Sequence, residues 1–342
     1  MVPFFDRPYS RLYIVGDNAD WVIDEEVKSL KKISETLGYR TKVVKKMYWN
    51  VSQIVHYSSQ FSLLDSNIYK SRNRISVDYF HGKPEHGESY KKCFEMISKH
   101  KDKIFKIRVS HKAMKEALLK TGIKQDKIVI IPIGLDVNIF PTQTIENKRI
   151  SRQKLNIDQG ALVIGSFQKD GVGWGEGNEP KLIKGPDIFL KVVEKLKKDF
   201  PNLHILLSGP SRGYIKNGLK ELGIPYTHKL LKEYKDVSNL YDALDYYLIT
   251  SREEGGPKAC LEAMSKGIPL ITTMVGQCQD LVSSGQNAIM TDIEDVQGLY
   301  QSLVELSNND LLKQQLVTVG RKTAEQNSYL SQTQLWEKYF KG

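Results

Sequence analysis

Short runs of β-branched and other apolar residues alternate along the chain with longer segments whose apolar positions recur at helical spacing. That alternation is the pattern of parallel sheets joined by crossover helices. In the first half the runs predict strands at 11–15, 41–44, 75–79, 106–109 and 128–131, the last closed by Pro132. A helix is expected over 22–37, stopped by Gly38, and another runs from an N-cap at Ser110 to about Gly122. The segment 141–156 (PTQTIENKRISRQKLN) is polar and lacks a long apolar stripe, so the domain boundary is expected there. Beyond it, strands are expected at 161–166, 203–208, 246–250 and 269–272, and helices near 186–199, 236–243 and 257–266. The expected organisation is α/β. Residues 1–145 form one parallel-sheet domain, 146–325 a second, and 326–342 a C-terminal helix packing back on the first. In open sheets of this kind ligands bind beyond the carboxyl ends of strands. Two such domains facing each other would place a site in the cleft between them.

The densest candidate chemistry lies at 246–269 (YYLITSREEGGPKACLEAMSKGIP). An expected strand runs into a loop with two carboxylates and two glycines, and Pro257 then opens a helix, where its missing N–H costs nothing. Backbone amides around Gly255, Gly256 and Lys258 would sit at the positive end of that helix, an anion site. Glu254 and Glu262, eight residues apart, are suited to accept hydrogen bonds from vicinal hydroxyls, as on sugars and ribose. An anion-binding helix end flanked by two such carboxylates describes a nucleotide-sugar site.

This stretch resembles the Glu-x7-Glu signature of retaining GT-B glycosyltransferases of family 4, the group 1 glycosyl transferases, with Glu254, Glu262-Ala263-Met264, Gly267 and Pro269 matching. Other segments resemble the family in the same order: Ser110 to Met114, Ile130 to Asp136 with Phe140, Lys184-Gly185-Pro186-Asp187, Tyr241 to Asp245, and Gly276. The likeness runs from about residue 105 to 300. It implies a GT-B fold of two Rossmann-like doubly wound sheets facing a central cleft, the acceptor on the first and the nucleotide sugar on the second.

It also implies roles. Lys184 and Lys169 would hold the donor diphosphate, Glu254 the hydroxyls of the transferred sugar, and Glu262 the nucleotide ribose. Gly255, Gly256, Pro257 and Lys258 would form the turn that meets phosphate and sugar. Gly16 would lie against the diphosphate and His81 beside the sugar, with Glu254, Lys184 and His81 as the catalytic group. No Asp-x-Asp pair suits a metal, so no metal or cofactor is expected, and the diphosphate charge falls to the lysines and the helix end. The substrate would be a UDP- or GDP-linked sugar, and the acceptor a hydroxyl on a glycan, lipid-linked or protein-linked molecule. Front-face attack assisted by the leaving phosphate is the route to retention that the family implies.

Four glycines at 171, 173, 175 and 177 mark the least family-like piece, 170–183, which reads as an insertion long and flexible enough to fold over a ligand. Its spacing fits neither a P-loop nor a Rossmann glycine motif. Trp174 there either stacks on an acceptor sugar or packs the loop down.

Composition changes the picture at a few points. No apolar run approaches the ~20 residues of a spanning helix. Asp6, Arg7 and Arg11 stand where a signal peptide would be apolar. The three cysteines, Cys93, Cys260 and Cys278, form no CxxC pair. A cytoplasmic protein is expected. The net charge of +10 belongs wholly to the first half, where 27 Lys/Arg face 17 Asp/Glu, whereas residues 151–342 balance. A one-sided basic field suits an anionic ligand or peripheral contact with an anionic membrane. No nucleic-acid motif accompanies it. Two other functions fit less of the pattern: a nucleotide-sugar epimerase-like enzyme, and a non-catalytic basic binding protein.

Overall fold

The computed structural model describes residues 9–16, 22–47, 52–64, 66, 68 and 71–342. The chain divides into two compact units, Met1–Gly134 with Ser328–Gly342, and Leu135–Asn327. The division falls ahead of the polar 141–156 stretch, because Leu135 and Phe140 already bury in the second unit's core. The stretch itself is largely helix. Thr144 caps it by accepting from the Asn147 amide at 3.0 Å, and Asn156 closes it in the left-handed conformation. Sequence periodicity misses this helix because the residues it buries are Ser151 and Arg152.

The first unit contains β1 (Arg11–Val15), α1 (Val22–Thr36), β2 (Arg40–Val44), β3 (Ile54–Tyr57), α2 (Gln60–Leu64), β4 (Arg74–Asp78), α3 (Glu88–His100), β5 (Ile104–Val109), α4 (Lys112–Leu119) and β6 (Ile128–Ile130). Its strands form one parallel sheet in the order β2-β1-β3-β4-β5-β6. The order reverses between β1 and β3, the crevice where doubly wound sheets take ligands. Ser110 is not the N-cap of α4: His111 holds that place, and the Ser110 hydroxyl instead meets its Nδ1 at 2.9 Å.

A buried charge network lies within this unit. The Arg108 guanidinium donates to Glu26 at 3.1 Å, Asp78 at 3.3 Å and the Ile131 and Pro132 carbonyls. The Trp336 ring lies against it, 4.7 Å away, and Asp78 also meets His56 at 3.3 Å. Tyr329 donates to Glu26. Trp336, Tyr339 and Phe340 of the terminal helix Thr333–Lys341 complete a core with Leu12, Ile14 and Leu30.

The second unit contains α5 (Ile145–Leu155), β7 (Leu162–Phe167), α6 (Pro186–Asp199), β8 (Leu203–Ser208), α7 (Gly213–Glu221), β9 (Tyr226–Lys229), α8 (Val237–Tyr241), β10 (Tyr246–Ile249), α9 (Lys258–Lys266), β11 (Leu270–Thr273), α10 (Cys278–Leu281), β12 (Ile289–Thr291), α11 (Val296–Asn308) and α12 (Asp310–Gln326). The terminal helix is α13. The strands again pair in parallel, in the order β12-β11-β10-β7-β8-β9, which reverses at β7 and β10. Both units are α/β with doubly wound sheets. Among the described residues no helix is long and apolar enough to cross a membrane.

Candidate active site

The switch point of the second sheet lies between β7 and β10, and the loops leaving those two strands carry most of the residues singled out in the sequence. After β10, the chain turns through Ser251, Arg252 and Glu254. The Lys184 ammonium meets the Glu254 carboxylate at 2.6 Å, with the two side chains 23% and 12% exposed. The other Glu254 oxygen accepts from the Ser251 hydroxyl at 2.9 Å. On the β7 side, the Gln168 amide donates to the Lys184 carbonyl at 3.1 Å. Gly185 follows at φ +63°, and a Cβ there would stand 1.9 Å from the Thr250 carbonyl oxygen. Only glycine lets the Lys184 turn close this tightly on the end of β10.

Arg252 fastens the same turn from outside. Its guanidinium forks onto both Asp187 oxygens at 2.8 Å and donates to the Leu182 carbonyl at 2.6 Å and Glu294 at 2.5 Å. These hydrogen bonds hold the Asp187 carboxyl below its ordinary pKa and the guanidinium's above. A bidentate fork of this kind fixes geometry as well as charge.

The Glu254–Gly256 turn is buttressed by the loop after β11. Gln277 donates its amide to the Gly255 carbonyl at 3.1 Å. A Cβ on Gly276 would lie 2.6–2.7 Å from the carbonyls of Gly255 and Glu254. Pro257 stands at the N-cap of α9 rather than in its first turn, which leaves Lys258 as the first helical residue. Glu262 belongs to a different network from Glu254. It is 5% exposed, accepts from Tyr241 at 2.9 Å and from Tyr234 through its other oxygen, and has Lys258 over the Tyr234 ring at 4.8 Å. Burial raises its pKa, and the two tyrosines and Lys258 oppose the rise.

Residues 170–183 form a hairpin tied at its base. Gly171 bridges Pro180 in antiparallel fashion, and the Lys181 amide donates to the Asp170 carbonyl at 2.8 Å. The Asp170 carboxylate pairs with the buried Arg212 at 2.9 Å, and Arg212 also reaches the Ser166 and Ser208 carbonyls at 2.7 Å. The glycines are there for close packing: a Cβ on Gly171 or Gly177 would meet the Ser211 carbonyl oxygen at 2.3 Å. Lys169, at the foot of the hairpin, places its ammonium 3.6 Å from the Trp174 ring centre. Lys181 was not singled out in the sequence. It lies in the joint field of Lys184, Lys169 and Glu254, and burial together with the two lysines lowers its pKa.

In the first unit, the Gly16 amide donates to the Val44 carbonyl at 3.0 Å at the end of β1. The following residues 17–21 lie outside the described residues, as do Asp6 and Arg7. His81 sits beyond β4, its carbonyl accepting from Gln60 at 3.0 Å and its ring edge-on to Tyr90 at 5.7 Å. Both stand at the carboxyl edge of their own sheet. The structure thus joins Lys184 and Glu254 in one ion pair, places Lys169 on the Trp174 ring, and gives Glu262 a network of its own with Tyr234 and Tyr241. Sequence reading did not single out Lys181, Arg252 or Tyr234, and it named Tyr241 only as the start of the Tyr241 to Asp245 motif. Tyr234 opens a short 3-10 turn and Tyr241 ends α8, so no single helical period links them. Among the described residues no group of three or more His, Cys, Asp or Glu side chains is placed to hold a metal ion.

Residues 180–323 match the family model described as glycosyl transferases group 1. A D-inositol 3-phosphate glycosyltransferase of Corynebacterium urealyticum is 25% identical over 195 residues, covering 54% of this chain and 44% of that protein. A glycosyltransferase of Haemophilus influenzae, itself uncharacterised, is 30% identical over 145 residues, covering 42% of this chain and 41% of that protein. The chain therefore spans less than half the length of these two relatives. Among solved structures, Anabaena HepE in complex with UDP and glucose superposes with a TM-score of 0.78 at 15% identity, over 98% of this chain and all of that one. Sucrose-phosphate synthase of Thermosynechococcus elongatus gives 0.76 at 14%, over 96% and 99%. These likenesses show the GT-B fold. The family match lies within the second unit, and the fold likeness runs over nearly the whole chain.

Proposed function

We propose that the protein is a retaining, metal-independent glycosyltransferase of family 4 that moves a hexose from a nucleoside-diphosphate sugar to a hydroxyl acceptor. The observation that carries this reading is the Lys184–Glu254 pair, partly exposed at the switch point of the second sheet and fixed from three sides by Gln168, Ser251 and the Arg252 fork. An ammonium has three donors, so Lys184 can keep Glu254 and still serve a phosphate oxygen. As the glycosidic bond breaks, negative charge grows on the departing diphosphate. Lys184, Lys181, Lys169 and the α9 N-terminus supply fixed positive charge there, the kind of preorganised stabilisation that lowers a barrier most. Glu254 accepts from hydroxyls of the transferred sugar, and Glu262, backed by Tyr234 and Tyr241, receives the ribose. Gly16 and His81 are assigned to the diphosphate and the sugar.

Support comes from the group 1 family match and from the UDP held by a structure of the same fold. An epimerase-like enzyme and a basic binding protein are not favoured. We place the acceptor on the first unit, and the basic charge of residues 1–150 would draw a lipid-linked or phosphorylated acceptor to an anionic membrane surface. In that reading the protein works in the cytoplasm, peripheral to the membrane. The test is turnover of UDP-, GDP-, ADP- and CDP-sugars with glycan and lipid-linked acceptors in excess EDTA, with the anomeric configuration of the product read by NMR. Nucleoside diphosphate release that survives chelation, with the donor's configuration kept, is expected. Full loss on chelation, or an inverted product, would overturn the mechanism.

A further inference from the structure

The hairpin at 170–183 has Lys169 at its entry and Lys181 near its exit, and Lys184 follows directly. The three lysines assigned to the donor phosphates thus depend on where this one segment stands. Backbone bonds link them in series: the Lys181 amide donates to the Asp170 carbonyl at 2.8 Å, and the Lys184 amide to the Lys181 carbonyl at 2.8 Å. Asp170 is placed in turn by Arg212, from the loop between β8 and α7. Both side chains are 1% exposed, and they pair at 2.9 Å. The terminal guanidinium nitrogens donate to the Ser166 and Ser208 carbonyls at 2.7 Å and to the Ser166 hydroxyl at 3.2 Å. One buried side chain therefore ties the carboxyl ends of β7 and β8 to the residue next to Lys169.

The rest of that loop grips the hairpin at its tip. The Ser211 hydroxyl brackets it, donating to the carbonyls of Gly173 at 3.1 Å and Gly175 at 3.0 Å. The Gly213 amide donates to the Glu176 carbonyl at 2.7 Å, and the Tyr214 amide to that of Gly177 at 2.9 Å. The fit leaves no slack: a Cβ on Gly177 would stand 2.3 Å from the Ser211 carbonyl oxygen, and one on Gly213 2.6 Å from that of Glu176. Ser211 holds φ +55°, a left-handed backbone that residues other than glycine adopt rarely. A buried ion pair and a left-handed serine each cost stability, and what they supply together is a fixed position for the hairpin. We propose that Arg212 is a positioning residue of the donor-phosphate site: through Asp170 it holds Lys169 and Lys181 where the diphosphate meets them. This rests on the glycosyltransferase reading. Buried as it is, Arg212 touches no substrate, and its effect reaches the ligand only through the lysines. Its contribution is therefore confined to the phosphates, and a nucleoside, which has none, should bind alike with the clamp intact or broken.

The test uses the full chain, with UDP, GDP, uridine and guanosine titrated by NMR into wild type, Arg212→Ala, Arg212→Lys and Gly177→Ala. Arg212→Ala should weaken the nucleoside diphosphate that wild type binds by about 3- to 10-fold, the scale of one weakened hydrogen bond to a charged group, and leave the matching nucleoside within about twofold. Arg212→Lys keeps a cation for Asp170 but loses the planar fork onto the two carbonyls, and should fall between. Removing one partner of a buried pair can unfold a domain, so Gly177→Ala supplies the second route. It displaces the hairpin from its tip without touching the buried pair, and the same selective loss is expected. Parallel weakening of nucleoside and diphosphate would make Arg212 a general support of the fold and overturn the proposal. Wild-type diphosphate affinity in the folded variants would overturn it as well. If wild type itself binds no nucleoside diphosphate, the glycosyltransferase reading fails, and this proposal with it.

Discussion

Each unit holds a cluster of charges among its sheet and helices, and the two clusters are finished differently. In the first, Arg108 is 1% exposed and donates to two carboxylates and two carbonyls. The surrounding rings of Phe80 and Trp336 seal it. In the second, Lys184 and Glu254 remain partly open, and their supporting bonds come from residues that hold backbone in place rather than from a full set of partners. A satisfied buried network fixes structure; a preorganised cluster with unused donors in reach of solvent is built for a ligand. The first cluster is the seat on which the C-terminal helix docks, and the second is where we propose the chemistry.

Removing Arg108 gives the largest expected effect. Arg108→Ala takes the buried cation from Glu26 and Asp78, a loss of about 3–5 kcal/mol, and should lower the melting of the first unit by roughly 10 °C while leaving nucleotide binding by the second unit intact. Loss of nucleotide affinity without a stability change would erase the distinction between the clusters. Next comes Glu254→Ala, expected to lower kcat by about 10²-fold or more, the scale of one transition-state contact, with little change in melting temperature. Wild-type turnover in this variant would remove Glu254 from the mechanism.

The Arg252 fork sharpens the contrast through pH. Asp187's pKa is lowered in the folded state, so the stabilisation is present above the unfolded carboxylate pKa and is lost as pH falls through the lowered folded value. Asp187→Asn should therefore melt earlier than wild type at pH 7, with the gap closing on acidification. A gap constant across that range would show that the pair contributes nothing through charge. The smallest effect belongs to Tyr234→Phe, which takes one of the two tyrosine donors from Glu262. Loss of one hydrogen bond to a charged group, about 1.5–3 kcal/mol at most, should raise the donor KM with kcat preserved, and a fall in kcat alone would argue against a ribose-side role.

The candidate residues were more legible in the sequence than the contacts that hold them. Lys184, Glu254 and Glu262 sit in local motifs whose spacing is set by one strand, one turn and one helix. The Arg252–Asp187 fork joins residues 65 apart, and the Ser211 bracket joins residues 36 and 38 apart, so no local pattern reveals them. Strands at 11–15 and 203–208 were read with their true bounds because each is built on an uninterrupted apolar stretch, 12–15 in one and 205–207 in the other, that ends at polar residues or glycine. By contrast β3 went unread: four residues, IVHY, include a fully buried histidine whose Nδ1 meets Ser76 at 3.0 Å, and that polar partner is visible only after folding. The close packing of the glycine-rich insertion was hidden for a related reason. Its glycines read as flexibility, but Gly171 and Gly177 are required by the nearness of the Ser211 carbonyl.

The most direct test of the central claim is calorimetric titration of UDP and GDP into wild type, Lys184→Ala and, as a control on α12, Lys313→Ala. The account predicts that at least one nucleoside diphosphate binds wild type, that its Kd rises about tenfold or more in Lys184→Ala as a charged hydrogen bond is lost, and that Lys313→Ala binds like wild type. Equal affinity in Lys184→Ala, or no binding of either nucleotide, would contradict it.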